Sequence, residues 1–286
     1  MNPIKQRQVW VVFGLIFIIS CNSRQSDTET KATIDSTSKE AAPISDRPIH
    51  WSYDEEGGPA GWDKLSPVYA LCGSGKNQSP INLTTEAAKS APQWKVEYRT
   101  TSLQIAHNEQ MDELINNGHT IQVTPEPGST ITYNGKVYQL KQFHFHTPSE
   151  HTINQKHFPM EIHLVHQADD KSLAVIGVLV REGVHNNNFD ELIKYLPNTP
   201  GEKRKHDSVS INVGINVPKV LHSYHYIGSL TTPPCSENVQ WIVLRDPISM
   251  DKNQLAAFSS RLHNNNRPTQ ALYERKLFID NFPVKN

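Results

Sequence analysis

Between residues 95 and 245 the chain is written in short alternating or apolar runs. Thr120-Ile121-Gln122-Val123, Lys141 to His146, Glu161 to His166 and Leu173 to Val180 each have strand length. Turn-forming residues divide them: Asn117-Gly118, Pro125 to Gly128, Asn134-Gly135 and Asp169-Asp170. Two stretches follow the helical period instead. Phe189, Leu192, Ile193 and Leu196 recur at helical spacing until Pro197 stops them, and Leu255, Phe258 and Leu262 form a second stripe after Ser249 and Asp251. Both stripes read as core contacts. The pattern predicts a mainly β domain with a few peripheral helices.

The N-terminus is patterned differently. Lys5 and Arg7 precede an apolar run from Val9 to Ile19 that is short for a bilayer span. It closes with Ile18-Ile19-Ser20-Cys21, which resembles the lipobox of bacterial lipoprotein signal peptides. That resemblance implies removal of residues 1–20 and lipidation of Cys21 with more than one acyl chain, enough for durable anchoring to a membrane. A plain secretory signal with an incidental cysteine is the alternative. Residues 22–45 are rich in Ser, Thr, Asp, Glu and Lys and contain no aromatic residue, Leu or Val. Such a stretch buries too little apolar surface to order itself and reads as a flexible tether, so 21–46 is assigned as lipidated cysteine plus linker. The globular part is expected from residue 47, near His50-Trp51-Ser52-Tyr53, to the end at 286.

Composition narrows this modestly. With 286 residues, 36% of them hydrophobic, the chain supports one sizeable domain with a real core. A net charge of -1 and the absence of a basic run argue against nucleic acid as a partner. Once Cys21 is set aside, Cys72 and Cys235 remain, and an exported chain places them in an oxidising compartment. A disulfide is expected there, with two free buried thiols as the alternative.

The chemistry is carried by histidines. In Gln142-Phe143-His144-Phe145-His146, strand alternation puts His144 and His146 on one face and the two phenylalanines on the other. Glu161-Ile162-His163-Leu164-Val165 repeats the arrangement, so His163 completes a three-histidine site if the strands are neighbours. Three neutral imidazoles leave one position of a tetrahedral zinc open, which is the pattern of a catalytic site. Gln142 and Glu161 lie two residues before a ligand on the same face, placed to accept the second N–H of an imidazole. A cupin reading competes, because His144-x-His146-x-x-x-Glu150 fits part of its first motif. The bracketing glycines are replaced by Tyr138 and His157, and no second cupin motif follows.

Residues 48–286 resemble the α-class carbonic anhydrases, the bacterial branch in particular. The resemblance rests on His50-Trp51-x-Tyr53, Gln78-Ser79-Pro80-Ile81-Asn82, Asn116-Asn117-Gly118-His119, the two histidine segments, Ser149-Glu150-His151-Thr152, Gly228 to Pro234, and Trp241-Ile242-Val243-Leu244. It implies a single domain around a large, mostly antiparallel twisted central sheet with short peripheral helices. It also implies one zinc ion on His144, His146 and His163, with Gln142 and Glu161 behind them. Thr231 is implied to accept a hydrogen bond from zinc-bound hydroxide, and Glu150 to take the threonine proton. His119 is implied as proton shuttle, with Tyr53, Asn117 and Gln122 ordering its water chain.

Val165, Val175, Leu230, Val239 and Trp241, with Thr232 beside them, are implied to receive substrate. The implied reaction is reversible hydration of carbon dioxide to bicarbonate and a proton, by an enzyme that is a monomer or a dimer and faces the periplasm or cell exterior. Thr147 and Asn186 to Asn188 depart from many animal members, which bears on loop packing and not on the reaction. Two other functions compete: a catalytically silent surface-binding relative, which typically lacks a zinc histidine, and a zinc-dependent esterase.

Overall fold

The strands form where β-branched and aromatic residues alternate with polar ones. In chain order they are β1 Asn82–Leu83, β2 Trp94–Glu97, β3 Thr100–Asn108, β4 Thr120–Val123, β5 Thr130–Tyr133, β6 Lys136–His146 and β7 Thr152–Ile153. There follow β8 Lys156–His157, β9 Met160–Gln167, β10 Leu173–Glu182, β11 Lys203–Asn212, β12 Ser223–Ser229, β13 Glu237–Met250 and β14 Phe278–Ile279. The computed structural model describes residues 50–54, 57–84, 92–108, 120–217 and 221–280. All belong to one compact unit, Arg47–Asn286. Cys21, Asn117 and His119 lie outside the described residues.

One large sheet dominates, in the order β11-β3-β4-β6-β9-β10-β13-β12-β14, with β2 and β5 added beside β6. Its pairings are antiparallel except β10 with β13. The architecture is therefore the mainly β, mostly antiparallel one that the sequence implied. The central strand β9 is buried at every residue, which is possible only because both faces of the sheet are covered.

One face carries a cluster that includes Phe143, Phe145, Ile162, Leu164, Ile176, Val178, Ile242 and Leu244. The helix α1 Trp62–Leu65, the helix α2 Leu71–Ser74 and the short α3 Asp190–Lys194 precede the longest helix, α4 Lys252–Leu262. A capping box of Asp251 and Gln254 starts α4. It closes the same apolar face, with the Phe258 ring tilted against that of Phe145 at a centroid distance of 4.7 Å. Among the described residues, no helix is long and apolar enough to cross a membrane.

A single irregularity positions the functional face. Tyr138 and Leu140 belong to the same cluster as Phe143 and Phe145, although the first pair is even-numbered and the second odd. The β6–β9 register shifts between Leu140 and Gln142, so Lys141 is absorbed in a bulge. Because strand side chains alternate with period two, one extra residue flips everything beyond it. Gln142, His144 and His146 are turned away from the apolar core by that residue.

Candidate metal centre

His144 and His146 project from β6 and His163 from β9, whose register sets His144 opposite His163. All three rings are buried. Their centroids are 5.0, 5.2 and 4.5 Å apart, and one ligand atom of each lies within 4.8 Å of the other two. Each ring has one nitrogen already engaged. His144 Nδ1 meets Gln142 Oε1 at 2.8 Å, His146 Nδ1 meets the Asn265 carbonyl at 2.6 Å, and His163 Nε2 meets Glu161 Oε1 at 3.0 Å. These acceptors fix the tautomers, so Nε2 of His144 and His146 and Nδ1 of His163 carry the free lone pairs.

Burial pushes all three imidazoles below their ordinary pKa, His146 to about 4, so they are neutral near pH 7. His146 Nε2 is buried with no hydrogen-bond partner. An orphaned acceptor among neutral, oriented imidazoles fits a nitrogen-preferring divalent cation.

The carboxylate behind His163 is anchored from both oxygens. Glu161 Oε1 also meets His151 Nδ1 at 2.7 Å, while Oε2 accepts the Glu150 and His151 backbone N–H groups at 2.9 and 2.8 Å. His151 continues outward to Tyr226 Oη at 2.7 Å, and Tyr226 to Ser79 Oγ at 2.8 Å. Burial alone would raise the Glu161 pKa, but His151, His163 and these donors hold it well below the carboxylate range.

Glu150 is the second buried carboxylate. It accepts the Arg267 backbone N–H at 2.8 Å and is hydrogen-bonded by Thr231. Its Oε2 lies 3.7 Å from His146 Nε2 and 3.8 Å from His163 Nδ1. Thr231 and the neighbouring Thr232 are buried. Beside the histidines, Val165, Val175, Val239 and Trp241 form one cluster with Leu230 packed against it. The register sets Val175 between Val165 and Trp241. Trp241 satisfies its one polar atom on the Ser229 carbonyl at 2.9 Å and lies 4.9 Å from the His163 ring. The result is an apolar wall beside the histidine rings.

A family model described as eukaryotic-type carbonic anhydrase matches residues 57–281. The chain is 41% identical over 231 residues to a carbonic anhydrase of Pectobacterium carotovorum, covering 79% of this chain and 89% of that one. It is 40% identical over 228 residues to one of Neisseria gonorrhoeae, covering 79% and 86%. The solved α-carbonic anhydrase of Thermovibrio ammonificans, in complex with the inhibitor sulfanilamide, superposes with a TM-score of 0.75 at 39% identity, covering 81% of this chain and all of that one. The chain belongs to the α-carbonic anhydrase family. This carbonic anhydrase catalyses the reversible hydration of carbon dioxide to bicarbonate and a proton, and its family is zinc-dependent.

Other residues assigned from the sequence fall near this centre. Gln122, on β4, is opposite His144 in register and its amide reaches Thr124 at 3.4 Å. Tyr53 is half-buried with its hydroxyl inaccessible, its ring centroid 5.5 and 5.9 Å from those of Trp51 and Trp62, and desolvation of that hydroxyl followed by the Glu150 charge raises its pKa well above normal. Cys72 and Cys235 form a disulfide spanning 163 residues.

Sequence reasoning missed Asn265, Arg267 and the His151–Tyr226–Ser79 chain as working parts of this carbonic anhydrase. Asn265 acts through a backbone carbonyl, which has no sequence signature. His151 carried a signal in its place directly after Ser149-Glu150, but strand alternation does not extend into that loop.

Proposed function

We propose that His144, His146 and His163 hold one zinc ion and that Thr231, Glu150 and the neighbouring apolar niche direct its chemistry toward carbon dioxide. The observation that carries this is the convergence of three oriented, neutral imidazoles on a point beside both the Glu150–Thr231 pair and the Val165–Trp241 wall. When bound there, zinc acts as a Lewis acid that brings the pKa of water toward neutrality.

The chain's own residues do the rest. Glu150, acceptor to the Thr231 hydroxyl, leaves that oxygen with lone pairs only, so it orients the attacking oxygen by accepting a hydrogen bond from it. Val165, Val175, Leu230, Val239 and Trp241 receive carbon dioxide without competing hydrogen bonds, and the Thr231 N–H with Thr232 holds the bicarbonate product. His119 exports the proton, a role that suits an imidazole because free histidine titrates near 6.5, along water ordered by Tyr53, Asn117 and Gln122.

The enzyme is exported and anchored to a bacterial membrane through lipidated Cys21, facing the periplasm or exterior, as a monomer or dimer. The charged start, apolar run and lipobox-like Ile18-Ile19-Ser20-Cys21 support this, as does a disulfide suited to an oxidising compartment. Membrane fractionation of wild type against Cys21→Ser tests the anchor; equal membrane retention would remove it.

Zinc content and stopped-flow hydration of wild type, His163→Ala and His119→Ala test the site. His163→Ala is expected to lose bound zinc and nearly all turnover. His119→Ala is expected to turn over more slowly and to recover partly in imidazole buffer. Full activity in zinc-free protein would refute the assignment.

A further inference from the structure

Thr231 and Glu150 meet in the site but come from distant parts of the chain, and one buried residue touches what holds each of them. Arg267 is 1% exposed. Its backbone N–H is the donor to Glu150 Oε1 at 2.8 Å. Its side chain spans three further acceptors: Nη1 donates to Gln78 Oε1 at 2.9 Å and to the Ser79 carbonyl at 2.7 Å, and Nη2 to the Cys72 carbonyl at 2.8 Å. Gln78 passes the connection on, its Nε2 donating to the Cys235 carbonyl at 3.0 Å. The Cys235 N–H in turn bonds the Thr232 carbonyl at 2.9 Å, closing the turn that carries Thr231.

Cys72 and Cys235 are therefore joined twice. One link is the disulfide. The other runs from the Cys72 carbonyl through the Arg267 guanidinium and the Gln78 amide to the Cys235 carbonyl. Burying a guanidinium costs several kcal/mol; here Nη1 and Nη2 are satisfied while Nε is buried with no hydrogen-bond partner, so apolar packing alone does not account for an arginine at this position. The planar fork reaches three acceptors on separate stretches of chain at once, which a lysine ammonium on a flexible stem does not reproduce. The Trp62 ring, 5.6 Å from the guanidinium, covers one side of it.

We propose that Arg267 is a positioning residue for the hydration step, its backbone fixing Glu150 while its side chain, through Gln78 and the Cys72–Cys235 loop ends, fixes the turn bearing Thr231. Donor and acceptor of the Thr231–Glu150 hydrogen bond are then registered to each other by one residue. The inference rests on the roles given above to Thr231 and Glu150. The two connections across the cysteines act in parallel, so each limits the damage when the other is lost, and losing both disturbs the geometry more than the two separate losses combined.

The test uses the full chain: Arg267→Lys, the pair Cys72→Ser with Cys235→Ser, the combination of all three, and Thr231→Val as reference. Zinc content, kcat and kcat/KM are measured well below each melting temperature, and hydrogen exchange of residues 230–236 is followed in metal-free and zinc-loaded protein.

Zinc-replete Arg267→Lys is expected to lose about tenfold or more in kcat/KM, in line with the cost of sub-ångström misplacement of reacting groups. The loss in kcat is smaller, because proton export follows product departure. Residues 230–236 exchange faster with or without metal, and the combined variant loses more than the product of its parts. Normal kcat/KM and normal exchange in folded, zinc-replete Arg267→Lys would overturn the proposal, as would strictly multiplicative losses. If Thr231→Val itself kept full kcat/KM, the catalytic reading would fail and not the coupling, which the exchange data test alone. Should Arg267→Lys not fold, Gln78→Met carries the same expectations at about threefold in kcat/KM, and a Gln78→Met protein indistinguishable from wild type overturns the proposal equally.

Discussion

Adding one methyl group at Gly177 tests how tightly the carboxylate behind His163 is held. Gly177, on β10, is the register partner of His163, and a Cβ there would stand 2.7 Å from Glu161 Oε1 and 3.4 Å from Val243 Cγ2. A carboxylate oxygen usually swings aside from such a contact. This one is fully buried and already takes His151 Nδ1 at 2.7 Å and His163 Nε2 at 3.0 Å, while two backbone N–H groups hold its twin. Retreat to an ordinary contact lengthens at least one charge-assisted hydrogen bond, costing about 1.5–3 kcal/mol. Overpacking adds about 1–3 kcal/mol, against which reduced freedom of the unfolded chain returns about 0.4–1 kcal/mol.

The net expectation for Gly177→Ala is about 2–5 kcal/mol of lost stability, or roughly 5–15 °C in melting temperature for a domain of this size. Because Glu161 orients His163, zinc affinity should fall about tenfold to a hundredfold. Calorimetry on the metal-free variant and zinc competition against a chromophoric chelator measure both. A melting temperature and a zinc affinity indistinguishable from wild type would show that Glu161 is free to move, and the anchoring argument would be wrong.

Three further outcomes are expected. Opening the disulfide, which closes 163 residues, should cost up to about 5 kcal/mol by the chain-entropy relation; an unchanged melting temperature in Cys235→Ser would contradict it. Asp280 is buried, and although burial alone would raise its pKa, hydrogen bonds from His225 and Ser223 lower it below 3.8. Its contribution is therefore present above that value and lost as pH falls through the folded pKa. Asp280→Asn should melt lower than wild type near neutrality, with the gap closing below pH about 4; a gap constant from neutral to acid pH would exclude the carboxylate as its source.

His185 bridges Asp251, the N-cap of α4, and Asp190, the first residue of α3, and these partners raise its pKa above 6.5. Stabilisation from that bridge is complete below 6.5 and fades as pH rises through the folded pKa. Histidine NMR titration should place the His185 midpoint above the ordinary value and move it down in Asp251→Asn; identical midpoints would rule the bridge out.

The zinc-site face was legible in the sequence because the relevant period is local. From Gln142 to His146 and from Glu161 to Val165 the alternation holds without interruption, so ligands, their acceptors and the apolar residues behind them separate correctly by parity. The bulge at Lys141 was not foreseen, although its trace is in the chain: the buried series Tyr138, Leu140 changes parity before Phe143, Phe145. Asn265 and Arg267 were beyond reach for a different reason. Asn265 works on His146 through its carbonyl, a group every residue type has, and Arg267 on Glu150 through its N–H, which all but proline share. Only the folded path of the chain after α4 brings them to the site.

The two buried glutamates show what that folded path contributes chemically. Glu150 and Glu161 are equally inaccessible, so depth alone would raise both pKa values. Glu161 has four donors on its two oxygens, two backbone N–H groups and two imidazoles, and its pKa falls. Glu150 has the Arg267 N–H and Thr231, while its Oε2 is buried with no partner, and burial lifts its pKa to about 7. The supply of donors, not burial, separates an anchor from a responsive acceptor. That unpartnered oxygen lies within 3.8 Å of ligand nitrogens on both His146 and His163. A carboxyl group kept short of donors at that point depends on the site's own occupants to complete its interactions. Thr231, whose hydroxyl bonds Glu150, is thereby held at the same point where those occupants react.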